Sequence, residues 1–373
     1  MAKLSKLLGK MFPATQVGAY PRPNWYNVDL RGRDWKKACR DPLYREMYTD
    51  AVGVTLEDQY RSGLDLFVDG RMWYDRYDGF IGSFAMYPLE RVTGVDIIPE
   101  PSAMLTAMSQ MPGFSGASEV FGSLIANAQI VGKVEHNGSL HFDELWQLAQ
   151  SLTSVPVKTG EAMGAFELSY VAANKFYKTQ RDFAFDLAKV FNIELKALEK
   201  AGAKYIQLDD LGHEFAAMAG DKDALSWGTD VINEMFKGVG AYKILHACHG
   251  GTPAPVGFAP YTKFIANIAD CKVDAFEMSM GQTNYPEEEL KLYKQHLSHM
   301  DLGIGVISNK NYLVEEPAEI IAGIQKAQKY IDADRIYLST DCGLITYPRV
   351  MARAKLHSIA KAAAALRKEH GAS

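Results

Sequence analysis

Residues 205–248, YIQLDDLGHEFAAMAGDKDALSWGTDVINEMFKGVGAYKILHAC, begin and end on short β-rich apolar runs, Tyr205 to Asp209 and Lys243 to Cys248, with a helical pattern over Ala224 to Lys237 between them. A strand, a helix and a second strand form the crossover that sets two strands parallel, since antiparallel neighbours need only a tight turn. The same alternation continues outward in both directions. Before it stand Thr15 to Gly18 (TQVG), Leu64 to Asp69 (LDLFVD) and Val155 to Thr159 (VPVKT); after it come Asp274 to Met278 (DAFEM), Leu302 to Ile307 (LGIGVI) and Ile336 to Ser339 (IYLS). Eight runs in all is the number that closes an α/β (β/α)8 TIM barrel.

Helical patterns fill the gaps: Tyr44 to Gln59, Phe166 to Ala201, Ala224 to Lys237, Pro286 to His299, Pro317 to Asp332 and Pro348 to Arg367. Proline leads three of them, where its missing N–H costs nothing. One gap is too long for a helix alone. Between the second and third runs, residues 71–154 read as an insertion after strand two, with a Gly/Pro/Ser-rich stretch from Pro99 to Gly122 and a hairpin signal at Asn137-Gly138. This region is expected to supply a lid or an oligomer contact. The whole of 1–373 is expected to be a single barrel domain.

The chain has 373 residues, is 47% hydrophobic and 23% charged, and carries a net charge of -5. Such a composition buries a large core and excludes disorder as the main state. No block of five like charges offers a polyanion-binding field, so nucleic acid is not an expected partner. No apolar run approaches the ~20 residues of a membrane span. Met1 to Phe12 mixes Lys3, Lys6 and Lys10 with leucines and reads as a short lead-in helix rather than a secretory signal. Four cysteines, Cys39, Cys248, Cys271 and Cys342, are too sparse for a disulfide scaffold and imply reduced thiols in the cytoplasm.

In this fold the active site forms at the C-terminal ends of the strands. Those ends carry Ala19, Arg71, Lys158, Asp209, His246 with Cys248, Glu277, Asn309 and Cys342. A spacing of two puts His246 and Cys248 on one face of an extended strand, and thiolate with imidazole suits Zn2+. Cys342 would add a second thiolate and Glu277 an oxygen. The same His and Cys also fit a buried strand histidine beside an inert core cysteine. Cys39 and Cys271 fall at helix or loop positions and read as structural.

Taken together, T-x-V-G-x-Y-P-R-P (Thr15 to Pro23), L-D-x-x-x-D-G (Leu64 to Gly70), P-V-K-T-G (Pro156 to Gly160), Q-L-D (Gln207 to Asp209), H-x-C (His246 to Cys248), F-E-x-S (Phe276 to Ser279), G-x-G-V (Gly303 to Val306) and D-C-G-L (Asp341 to Leu344) resemble the cobalamin-independent methionine synthase family in its short single-barrel form. The motifs cover all eight runs in order. The resemblance implies a catalytic zinc held by His246, Cys248, Glu277 and Cys342, binding a substrate thiol as thiolate, which is the nucleophilic form.

Two positions depart from the family. Where it has I-G-S and D/H-G-E, with the Ser and Glu holding the amino-acid head of homocysteine, this chain has Ala19 and Arg71. A guanidinium within ~4 Å of an ammonium costs on the order of 1 to 4 kcal/mol in a partly screened site. Arginine favours oxyanions instead. That points to coenzyme M, 2-mercaptoethanesulfonate, and to a likeness with the epoxyalkane:coenzyme M transferase (2-hydroxypropyl-coenzyme M lyase) branch, a lyase of alkene metabolism that opens epoxypropane to a 2-hydroxyalkyl thioether. Arg71, Ala19, Asp209 and Lys158 are then the substrate-binding candidates, with Asp209 orienting Arg71 through an ion pair. A surface salt bridge is the plainer reading of Arg71. Candidates to protonate the alkoxide are His249, Asp210 and Tyr74 or Tyr77, and the aromatic run Met72, Trp73, Tyr74, Tyr77 and Phe80 reads equally as an epoxide wall or as packing under the insertion. The competing reading is a zinc-dependent thiol methyltransferase with homocysteine or coenzyme M as acceptor and a corrinoid- or folate-linked donor. The partners expected are a small thiol and an epoxide, with a second copy of the chain as the possible assembly. A structural zinc protein without turnover is the remaining alternative.

Overall fold

The computed structural model describes residues 2–75, 81–98, 127–249 and 258–372. Nine strands are found among them: β1 Val95–Ile98, β2 Asn127–Ile130, β3 Thr159–Met163, β4 Ala173–Asn174, β5 Tyr205–Asp209, β6 Tyr242–Ala247, β7 Ala275–Ser279, β8 Asp301–Ile307 and β9 Ile336–Thr340. Six of them form one parallel sheet in the order β3-β5-β6-β7-β8-β9. The five runs expected from Tyr205 onward are these strands, displaced by a residue at most.

Pairing continues past both edges of this sheet. Ala14 bridges Leu338 of β9, Asp65 N donates to Ala14 O at 2.8 Å, and Phe67 bridges Val157, just before β3. Each of eight extended segments therefore has a hydrogen-bonded neighbour on both sides, the arrangement a (β/α)8 barrel uses to remove its edges. The first two expected strands are reduced to these contacts because side chains take over their ladder partners. Asp65 Oδ2 accepts from Ala14 N at 2.9 Å, Thr15 Oγ1 donates to Leu66 O at 2.8 Å, and the Gln59 amide bonds both Val68 N and Val68 O. The third begins only at Thr159, where the apolar run Val155 to Thr159 ends.

The expected helix from Phe166 to Ala201 is two helices, Ala165–Val171 and Gln180–Ala201, with β4 between them. Thr179 starts the second by accepting from Asp182 N at 3.0 Å, an N-cap that the apolar periodicity conceals. In the insertion, β1 pairs antiparallel with β2, and β2 pairs parallel with β4. Asn137-Gly138 does not join two strands of a hairpin. Gly138 takes a left-handed conformation (φ 78°) beyond the Val92–His136 bridge, and the chain then enters the helix Phe142–Ser151.

Alternation along the strands decides what fills the ring. Tyr205, Tyr242, Ile244, Ala275, Tyr337 and Leu66 form a separate apolar cluster closed by Leu4 and Leu8 of the short helix Leu4–Leu8. Two residues further along β5, β7 and β9 the same face presents Gln207, Glu277 and Ser339, all fully buried. The ring is apolar at one end and polar toward the C-terminal ends of its strands. Among the described residues no helix is long and apolar enough to cross a membrane.

Candidate metal centre

His246 lies near the end of β6, Cys248 just beyond it, and Cys342 two residues past β9. Their ligand atoms lie within 4.8 Å of one another, and the two sulfurs are 3.3 Å apart. Both ring nitrogens of His246 lack a hydrogen-bond partner although the residue is only 1% exposed. A buried imidazole is normally satisfied, so two ring nitrogens without a hydrogen bond beside two thiols suit a metal ligand. The hydrogen bond from Cys248 holds the Cys342 thiol well below its usual pKa, against the effect of burial, and the same contact pushes Cys248 well above it.

Glu277 lies outside that set of three. Its Oε1 is 3.4 Å from His246 Nδ1 and accepts from Ser339 Oγ at 2.9 Å, while Oε2 is 3.6 Å from Lys158 Nζ. Burial alone would raise its pKa, but the Lys158 ammonium and His246 outweigh burial and bring it to about 2. The G-x-G-V motif of β8 explains the room: a Cβ on Gly303 would stand 2.7 Å from Glu277 Cγ, and one on Gly305 would stand 2.5 Å from Asp341 Oδ1. Asp341 in turn accepts from the backbone N–H groups of Met280, Gly281 and Gln282, which ties the loop after β7 to the segment carrying Cys342.

A buried polar chain leads from Glu277 to Arg71. Lys158 Nζ donates to Gln207 Oε1 at 2.5 Å, Gln207 Nε2 donates to Asp209 Oδ1 at 2.6 Å, and Arg71 donates to Asp209 Oδ2 at 2.6 Å. Arg71 also donates to the Tyr74 hydroxyl at 2.9 Å, and its guanidinium lies 5.1 Å from the Phe84 ring centre. It is 4% exposed, so the ion pair is an interior one and not the surface salt bridge of the plainer reading. Asp209 stands opposite His246 in the β5–β6 register, which brings this pair to the thiols. Arg71 has a positive φ of 54° directly after Gly70 at 77°, and its N–H is held by Asp69 Oδ1 at 2.9 Å. A non-glycine residue in that conformation is strained, and such strain concentrates at functional sites.

Ala19 is buried against Gly343 and offers no polar group to this space. His249 pairs with Glu214 at 2.9 Å, and burial together with Lys310 lowers its pKa to about 4. Asp210, expected as a proton donor, has its carboxyl pushed up to about 7 by burial, against the pull of its backbone hydrogen bonds. Its carboxylate accepts from the backbone N–H groups of Phe166, Glu167 and Gly212, so it holds the starts of the helices Ala165–Val171 and Gly212–Ala219. Tyr77 and Phe80 lie outside the described residues, whereas Trp73 packs on Tyr87 and Phe142, all three within the 71–154 stretch. Sequence reading passed over Glu214 and Lys310. Lys310 follows the strand end at Asn309 by one residue and interacts electrostatically with both thiols, so extending the strand-end rule by one position would have found it.

The family described as "Cobalamin-independent synthase, Catalytic domain" matches residues 119–365. The chain is 30% identical to a methionine synthase of Sulfolobus acidocaldarius over 96% of its length and 93% of that protein's, and 30% identical to one of Saccharolobus solfataricus over 98% and 97%. Its fold matches a B12-independent methionine synthase from Shewanella sp. W3-18-1, solved with selenomethionine, at a TM-score of 0.76 and 22% identity, covering 96% of this chain and 99% of that one. A putative vitamin-B12 independent methionine synthase from Listeria monocytogenes matches at a TM-score of 0.66 and 19% identity, covering 96% and 98%.

Proposed function

The chain belongs to the cobalamin-independent methionine synthase family, which it matches through the catalytic domain, and from that premise we propose that it is a metal-dependent thiol alkyltransferase whose thiol ends in an anion. The donor set fits zinc. Tetrahedral zinc takes Cys at ~2.3 Å and His at ~2.0 Å, which sets ligand atoms roughly 3.5 Å apart. The His246, Cys248 and Cys342 atoms already gather within 4.8 Å around an unsatisfied buried imidazole. These three residues would hold the ion, with Glu277 beside His246 as the fourth side chain. Bound there, zinc would supply the stabilisation that keeps a substrate thiol deprotonated and nucleophilic at neutral pH.

The Arg71–Asp209 ion pair carries the choice of thiol. An amino-acid thiol such as homocysteine brings an ammonium, which needs a carboxylate whose charge is not already answered. Asp209 has one oxygen on Arg71 and the other on Gln207. The cation paired with Asp209 is a guanidinium, the group that recognises oxyanions in a forked geometry. Coenzyme M, with a sulfonate and no amine, has that chemistry.

Methyl transfer is the reaction the family membership favours. The thiolate forms the new S–C bond, and the leaving group of a corrinoid- or folate-linked donor keeps the electron pair of the bond that breaks. Tyr74 favours a second reading, addition of the thiolate to a short epoxide such as epoxypropane. Its hydroxyl accepts from Arg71, so its own proton points elsewhere, and burial keeps that proton in place at neutral pH. An alkoxide released by ring opening is basic enough to take it. The test is to incubate zinc-loaded protein with coenzyme M or homocysteine, each with methylcobalamin, a methyl-folate or epoxypropane, and to identify thioethers by mass spectrometry. Coenzyme M thioethers support the reading, and the electrophile consumed chooses between its two forms. Methionine as the sole product overturns the anionic thiol, and no thioether at all overturns the proposal.

A further inference from the structure

Cys248 and Cys342 both stand beyond the last residues of their strands, Ala247 of β6 and Thr340 of β9, so neither thiol residue is itself part of the sheet. A side-chain belt joins the two backbones there. The Tyr261 hydroxyl donates to Ala247 O at 2.7 Å and accepts from Ser279 N, at the end of β7, at 2.9 Å. Ser279 Oγ then donates to Asp341 O at 2.7 Å. The carbonyl of Ala247 belongs to the peptide that enters Cys248, and the carbonyl of Asp341 belongs to the peptide that enters Cys342. Hydrogen bonds through Tyr261 and Ser279 thus run from one thiol-bearing peptide to the other.

The surroundings are built for this link. A Cβ on Gly305 of β8 would stand 2.7 Å from Asp341 Cα, so the glycine lets the Asp341 backbone lie across β8 toward Ser279. Tyr261, Ser279 and Asp341 are each 0% exposed, so water does not compete for their bonds. Tyr261 is anchored in turn: its N–H donates to Glu289 Oε1 at 3.2 Å, and its ring centre lies 4.6 Å from that of His249. Because a peptide unit is planar, a bond to its carbonyl restricts where the next Cα, and hence its side chain, stands.

Resting on the reading of His246, Cys248 and Cys342 as a zinc site, we propose that Tyr261 and Ser279 are positioning residues that set the spacing of the two thiols for the metal. They act through the backbone and supply no ligand atom of their own. Hydrogen bonds outside the ligands orient them in this way at metal sites generally.

Tyr261→Phe removes the bridging oxygen and keeps the ring, and Ser279→Ala cuts the other end of the belt without touching an aromatic side chain. Tyr293→Phe is the control. Tyr293 is equally buried, and its hydroxyl donates to Met300 O at 3.1 Å, just before β8 and so at the opposite end of the sheet from the thiols. Zinc affinity is read by competition with a chromophoric chelator, absorption of bound cobalt(II) reports the ligand geometry, and a melting curve is taken on each metal-free protein. Tyr261→Phe and Ser279→Ala should each bind zinc about tenfold more weakly, with shifted cobalt bands. The double variant should lose little beyond either single one, because the two residues act in series. Tyr293→Phe should match the wild type in both metal readouts whatever its melting temperature.

Wild-type zinc affinity in either belt variant, an equal loss in Tyr293→Phe, or a hundredfold loss in the double variant would each overturn the belt and leave the metal site standing. A wild-type protein that takes up no zinc would overturn the metal site, and the belt with it.

Discussion

The sulfurs of Cys248 and Cys342 lie 3.3 Å apart although 94 residues separate them in the chain. They meet because β6 and β9 are members of one parallel sheet, so both thiols emerge at the same end of it. Each rests at a strand end and not inside the apolar core. Cys342→Ala should therefore abolish stoichiometric zinc binding while the far-ultraviolet circular dichroism stays that of the parent. Metal analysis and a melting curve on one sample check both halves. A variant that unfolds as it loses metal would make the site structural.

Charge reversal at Arg71 gives a second prediction. Arg71→Glu sets two carboxylates together in a buried place, where one of them must hold a proton. Coenzyme M affinity should fall by at least about tenfold, since both the cation and its forked donors are lost. Homocysteine should gain, because an ammonium now finds unpaired negative charge. Competition between the two thiols for the zinc-loaded variant reads out the ratio directly.

Asp210 is predicted to matter for stability. Asp210→Ala leaves the N–H groups of Phe166, Glu167 and Gly212 without their acceptor in a buried region. The expected cost is about 2 to 3 kcal/mol in chemical denaturation. Zinc content should be unaffected, in contrast to Cys342→Ala.

Glu289 links folding to pH through its contact with Tyr261. Its Oε1 accepts from Tyr261 N at 3.2 Å, and burial raises its pKa to about 7. A carboxyl whose pKa is higher in the folded than in the unfolded state binds its proton more tightly when folded. Its contribution is complete below the unfolded value of 4.5 and is lost as the pH rises through about 7. Glu289→Gln keeps an oxygen for Tyr261 and removes the titration. The melting temperature of the variant should gain on that of the wild type between pH 5 and pH 8, and a constant difference would refute the linkage.

Much of this was legible in residue order. Alternation along Tyr205 to Asp209 and Lys243 to Ala247, and the helices between such runs, follow from local periodicity, because a strand or helix with one face in the core must repeat its apolar residues at 2 or 3.6 positions. His246, Cys248 and Cys342 were nameable for the same reason, since parallel strands all end on one side. Other features were hidden where a distant side chain replaces a local partner. Asp65 and Gln59 take the ladder positions of the first two segments, Thr179 restarts a helix that periodicity runs straight through, and Asp210 serves backbone amides 44 residues upstream.

Arg71 marks the boundary between the two kinds of information. Its identity, and the charge reversal it represents, are plain in the chain, and so is the α/β alternation that puts it at a strand end. Its pairing with Asp209 and its strained backbone are not, because each depends on atoms from segments far apart in the chain meeting at a few ångströms. Residue order carries the periodicities that build strands and helices. Distances between side chains arise only when those strands are closed around a common core.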